Sequence, residues 1–183
     1  MPYDIEASDW LNTDAPLSLP ALRGRVVAVT VFQMLCPGCA HTSLPQANKL
    51  HAVFARQDLV VIGLHSVFEH HAAMTPEALC AFAGEYRLRF PIAIDLARPH
   101  SPVPATMAKW ALQGTPSLLV FGRDGALALQ HFGHLEDLRL GAVLGELIAQ
   151  RGGMEAAADA PAPSASSIPT ALAKESCHEN CRV

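Results

Sequence analysis

The chain has 183 residues, half of them hydrophobic, with a formal net charge of −4. That is enough apolar material for one good core but not for two. The charge argues against a nucleic-acid-binding or polybasic membrane surface, and no apolar run approaches the roughly eighteen residues needed to span a bilayer.

The first residues, Met1-Pro2-Tyr3-Asp4-Ile5-Glu6, carry acids and no apolar stretch of the secretory kind. The expectation is a cytoplasmic protein, or a periplasmic one if a leader has been removed. In the cytoplasm thiols are kept reduced, so paired cysteines are catalytic or metal-binding rather than structural staples. The valine-rich run Val26–Phe32, bounded by Arg23-Gly24-Arg25, reads as a buried strand. Cys36-Pro37-Gly38-Cys39 follows directly. A helix beginning here sets the first cysteine at its N-terminus, where free N–H groups and the helix dipole favour thiolate. Pro37 suits the first turn, where its missing N–H costs nothing. Two thiols at this spacing serve reversible disulfide chemistry or half of a zinc site. Cys80, the next cysteine, stands alone in the sequence, which favours the redox reading.

Residues 38–56 carry Leu44, Ala47, Leu50 and Phe54 at helical spacing. Leu59–His65 is a second continuous apolar strand. Glu69-His70-His71 reads as a solvated loop, with metal ligation as its alternative. Thr75-Pro76-Glu77 is a helix start, Thr as N-cap and Pro at the first position, and that helix runs to about residue 86. Cys80 lies within it as a small buried hydrophobe. A short strand over 91–95, a helix over 104–112 and a strand at Ser117–Phe121 come next. Arg123-Asp124-Gly125 turns the chain into a hairpin strand over 126–132. Residues 135–150 close the domain as an amphipathic helix. His131 and His134 receive no role, and Trp10 and Trp110 read as packing residues. Apolar strands alternating with helices imply an α/β fold, its central mixed sheet covered on both faces.

The composition shifts near residue 153. EAAADAPAPSASS cannot bury a core and reads as a linker. The expected organisation is a domain at 1–153, a linker at 154–176 and a flexible tail at 177–183. That tail carries Cys177, His178 and Cys181, with the cysteines at i, i+4. Three readings stand: a second dithiol relaying electrons to Cys36 and Cys39, soft-metal capture of copper or zinc, or incidental thiols. A linker of about twenty residues spans roughly 25 Å, enough to revisit the active-site turn.

In order along residues 8–150, these segments resemble the thioredoxin-like superfamily, and within it the TlpA/ResA-like thiol–disulfide oxidoreductases. Residues 17–19 with 22–27 resemble that branch's opening hairpin and first core strand, so the resemblance implies an N-terminal β extension. FQMLCPGC at 32–39 occupies the active-site turn, and VVIGL at 60–64 the next strand. FPIAID at 90–95 resembles the FPxxxD segment. Gly114-Thr115-Pro116 with FGRDG at 121–125 resembles the GTP segment and its hairpin. The resemblance implies a thioredoxin fold with Pro116 as a cis-proline facing the cysteines, and a Thr115 backbone that pairs with substrate. Cys36 would attack and Cys39 resolve, with Pro37 and Gly38 tuning the pair and no cofactor beyond the disulfide itself. The implied partners are a protein or small-molecule disulfide and a thiol electron donor.

Three positions depart from the family pattern. Leu35 replaces the tryptophan before the first cysteine. Thr30 falls where thioredoxin has its buried acid, and Thr42 where ResA-like proteins have a glutamate. His41 is then the nearest residue with a suitable ordinary pKa for moving a proton. The alternatives to a simple oxidoreductase are a metal-binding or redox-sensing protein and a peroxiredoxin-like peroxidase. Against the last, Val29 and Gln33 stand where the PxxxTxxC signature needs proline and threonine.

Overall fold

A computed structural model of the chain describes residues 3–150. The strands β1 (Ala7–Leu11), β2 (Val26–Phe32), β3 (Leu59–His65), β4 (Ile92–Asp95), β5 (Ser117–Phe121) and β6 (Leu127–Phe132) form one sheet in the order β1-β4-β3-β2-β5-β6. β2, β3 and β4 run parallel, while β1, β5 and β6 are antiparallel to their neighbours. The helices are α1 (Leu44–Val53), α2 (Pro76–Glu85), α3 (Ala105–Lys109) and α4 (Asp137–Ala149). This is a thioredoxin-like fold. No helix of the described residues is long and apolar enough to cross a membrane. The linker and tail expected beyond residue 153 lie outside the described residues.

β2 and β3 are buried along their whole length, which is why both read as continuous apolar runs rather than alternating ones. One face of β2 sends Val26, Ala28 and Phe32 into a core with Leu44 and Ala47 of α1, Leu79 and Ala83 of α2, and Leu140 and Leu144 of α4. The other sends Val27, Val29 and Val31 against Leu19, Leu22 and Trp110. Tyr3, Trp110 and Phe121 close that second face as three edge-on ring pairs with centroids 5.4–6.0 Å apart. β6, at the sheet edge, alternates half-buried and exposed residues. Gly63 sits where β3 meets Phe90, Ile92 and Phe32; a Cβ there would lie 2.8 Å from the Phe90 ring.

The N-terminal region differs from expectation. Residues 17–27 do not form a hairpin; Leu19–Leu22 is a short 3-10 turn with Pro20 in its first positions. The β extension is instead β1, paired antiparallel with β4 at the far edge of the sheet. Its short sequence, Ala-Ser-Asp-Trp-Leu, does not alternate apolar and polar residues and leaves little periodic signal. Thr75 caps α2 as expected, its hydroxyl accepting from the Ala78 N–H.

Candidate active site

The turn after β2 carries the cysteines. Pro37 and Gly38 are already helical, so Cys36 stands at the helix start. The next turn, Cys39–Ser43, is a π-helix before the chain settles into α1. Pro45 explains this local widening. It has no N–H for the His41 carbonyl one α-turn earlier, and its ring crowds that carbonyl. The Leu44 N–H reaches back to the Cys39 carbonyl instead. Hydroxyls cover neighbouring carbonyls, Thr42 donating to Gly38 and Ser43 to Cys39. Single π-turns inside helices occur frequently at functional sites.

Cys36 is half-buried and Cys39 fully buried. The Cys39 N–H donates to the Cys36 sulfur at 3.2 Å. The Cys36 thiol donates to the Thr115 carbonyl at 3.6 Å, directly across the turn. The Thr115–Pro116 bond is cis. Gly38 faces the Pro116 ring so closely that a Cβ would lie 3.3 Å from Cδ. Burial pushes the Cys39 thiol up to about 12; its contact with Cys36 adds to the rise, and the Gln33 backbone and Thr115 oppose it. Cys39 is therefore held as a thiol until sulfur chemistry at Cys36 changes its surroundings.

The sequence-derived site residues thus divide. Cys36, Pro37, Gly38, Cys39, Thr115 and Pro116 converge at one place. His41 is exposed on the turn after Cys39, and no hydrogen bond joins it to either cysteine. Cys177, His178 and Cys181 lie outside the described residues. Glu69, His70 and His71 are all exposed, and the described residues contain no group of three side chains able to hold a metal ion. Cys80, expected as a small buried hydrophobe, is half-buried on α2 and packs against the core beneath. Of the two tryptophans read as packing residues, Trp110 is core and Trp10 is half-buried.

Several residues near the site escaped sequence reasoning. Gln46 of α1 donates to the Leu135 carbonyl and the Asp137 carboxylate, both at 2.7 Å, tying the cysteine-bearing helix to the start of α4. That bond, followed by the Lys49 contact, holds the Asp137 carboxyl below its ordinary value. His65, at the end of β3, lies beside Phe32 with ring centroids 5.2 Å apart. It is 1% exposed, its Nε2 has no partner, and burial lowers its pKa to about 4. Phe132 packs against Gly114, while the Gly133 N–H donates to the Pro116 carbonyl at 2.8 Å. The end of β6 thereby joins the rim of the cysteine turn. A Phe at an outward position of an alternating strand was the available signal.

Two thiols of unequal burial, set at a helix start opposite a cis-proline turn, define a dithiol site of the thioredoxin kind. Comparison with solved structures agrees. The chain is 45% identical to a thiol-disulfide isomerase from Corynebacterium glutamicum, with 81% of this chain and 96% of that one covered and a TM-score of 0.78. It is 42% identical to a thioredoxin-like superfamily protein over the same shares, with a TM-score of 0.79. The chain belongs to the thioredoxin-like superfamily, among its thiol–disulfide oxidoreductases. It is also 42% identical over 59 residues to NHL repeat-containing protein 2 of Gallus gallus, a match covering 31% of this chain and 8% of that protein. The chain thus spans less than a tenth of that curated relative. No protein-family model matches it.

Proposed function

We propose that this chain exchanges disulfides through Cys36 and Cys39. The carrying observation is the half-buried Cys36 sulfur 3.6 Å from the Thr115 carbonyl, with Cys39 buried behind it. In the reducing direction the Cys36 thiolate attacks one sulfur of a client disulfide, and the other sulfur leaves as a thiolate that takes up a proton. Cys39 loses its proton and attacks the Cys36 sulfur. The client's second thiolate departs, and the Cys36–Cys39 bond holds the oxidised state until a thiol donor returns two electrons. The reverse sequence oxidises a client. Pro37 and Gly38 set the turn, and Thr115 and Pro116 hold the extended client segment beside it. The finer reading, in which Cys177 and Cys181 relay electrons to this pair, is supported by their spacing alone.

Titrating the protein through glutathione redox buffers, with cysteines counted by mass spectrometry, tests both levels. A Cys36–Cys39 disulfide forming at a defined potential is expected. A value near about −270 mV marks a reductant and one near about −120 mV an oxidant. No such disulfide at any potential would sink the proposal. Mixed bonds between the tail cysteines and Cys36 or Cys39 are the outcome a relay requires.

A further inference from the structure

The chain has five cysteines, at positions 36, 39, 80, 177 and 181. Cys36 and Cys39 are free thiols, whereas Cys80 on α2 is disulfide-bonded. Within the chain that leaves Cys177 and Cys181, both beyond the described residues, as the sulfurs able to complete its bond. The surroundings of Cys80 suit such a bond. It is half-buried at the border of the stripe by which Leu79 and Ala83 enter the core. One turn to either side stand Pro76 and Gly84, both exposed and neither carrying a long side chain. An incoming chain can therefore approach the sulfur from the solvent side of α2.

The tail is long enough to arrive there. α2 and α4 pack on the same face of the sheet through Leu79, Ala83, Leu140 and Leu144. From the end of α4 at Ala149 the chain runs about 28 residues to Cys177, a flexible span of roughly 30 Å. Packed helices lie about 8–10 Å apart, so even two helix spacings fall within it. We propose that Cys80 forms a disulfide with one of the tail cysteines, Cys177 or Cys181, tethering the C-terminus to α2 as a second redox site. The Ala/Pro/Ser stretch before them offers little apolar surface for docking, so a covalent bond is what fixes the chain end. Its formation from two thiols passes two electrons and two protons to a disulfide oxidant such as oxidised glutathione, which becomes two molecules of glutathione. Excess glutathione reverses the exchange, so the tether persists in an oxidising compartment and opens in a reducing one. While it is closed, the tail keeps one cysteine rather than a pair, and a dithiol relay to Cys36 and Cys39 requires it to open first. The inference stands apart from the disulfide-exchange reading, because the bond involves neither Cys36 nor Cys39.

The test is a peptide map of the full chain. Reduced protein is equilibrated with a series of ratios of oxidised to reduced glutathione, free thiols are alkylated, and trypsin is added without reductant. Cleavage after lysine and arginine places Cys36 and Cys39 together in residues 26–49, Cys80 in 57–87 and both tail cysteines in 175–182. Each pairing therefore has its own mass. The expected product is 57–87 joined to 175–182 in a chain of monomeric mass, with complete loss of that product in Cys80→Ser. Cys177→Ser and Cys181→Ser identify the tail sulfur, since the product persists in the variant that keeps it. Cys80 alkylated at every glutathione ratio, a tail closed only as Cys177–Cys181, a tail joined only to 26–49, or a joined product found only in dimers would each overturn the proposal. A missing Cys36–Cys39 bond in 26–49 would instead count against disulfide exchange and leave the tether standing, so the two readings fail separately.

Discussion

Cys36 and Cys39 stand three residues apart and in different media. Cys36 is half-buried between the exposed Leu35 and Pro37, and its sulfur already has an N–H from Cys39 directed at it. The floor beneath holds Cys39 at no measurable exposure, its thiol pushed up to about 12. Cys39 shares its core cluster with Phe32, whose ring in turn lies beside the neutral His65. One helical turn thus separates a site built to meet partners from one built to wait. The order of the two sulfur attacks follows from burial, since a partner reaches only the sulfur it can touch.

The largest test of this contrast is removal of each thiol. Cys36→Ser should abolish disulfide exchange outright. Cys39→Ser should keep the first attack and trap the mixed disulfide, as seen by adduct mass. Equal loss of the first step in both variants would erase the distinction between rim and floor.

A second test concerns the floor through pH. His65 titrates near 6.5 when unfolded and near 4 when folded. Between those values the unfolded chain binds the extra proton, so stability present above 6.5 is lost progressively as pH falls toward 4. The loss is up to about 3 kcal/mol, at roughly 1.4 kcal/mol per unit. Asp95 works the opposite way. Burial raises its carboxyl, against hydrogen bonds from Thr106, Ser66 and Met107. Its contribution is therefore full below the ordinary carboxylate value and lost as pH rises through the raised one. Comparing urea midpoints of the parent and His65→Gln isolates the histidine, and an identical slope in both would refute its buried, neutral state.

Gly63→Ala presses on the same layer from the neighbouring strand. A methyl 2.8 Å from the Phe90 ring and 3.2 Å from Phe32 should cost about 1–3 kcal/mol in denaturant unfolding. No change would mean that the floor is less tightly packed than its geometry states. The smallest expected effect is on the rim. Gly38 has ordinary helical angles, φ −61° and ψ −33°, so Gly38→Ala gains up to about 1 kcal/mol of helix propensity. Its methyl meets Pro116 at 3.3 Å and offsets part of that gain. Melting should shift little while exchange slows about twofold, the size of a contact loss under 1 kcal/mol. A large fall in stability would show that rim and floor are one packed unit.

The central strands were legible because their signal is strong. β2, β3 and β5 lie over the residues where continuous apolar runs predict them. α2 begins at Pro76, behind the Thr75 cap written into Thr-Pro-Glu. The cysteine turn and the Gly-Thr-Pro segment were legible as motifs, and Cys36 and Thr115 do meet. Other features were not. The helix expected over 38–56 conceals a π-turn, although Pro45 and the Thr42-Ser43 pair that accompany it were in view. β1 was misplaced because a five-residue strand without apolar–polar alternation is specified by its β4 partner rather than by its own pattern.

The sequence by itself determined the chemistry available here: two thiols at a helix start, a Gly-Thr-Pro turn, and enough apolar strand to bury a sheet between helices. These are properties of neighbouring residues, so they survive being read one segment at a time. Only the tertiary structure decided how the two thiols differ. Burial of Cys39, the unpartnered nitrogen of His65, the Gln46 tie between α1 and α4, and the arrival of Phe132 at the rim all depend on residues far apart in the chain. Desolvation and packing are set by what surrounds an atom in space, and the sequence names those surroundings only once the sheet has assembled.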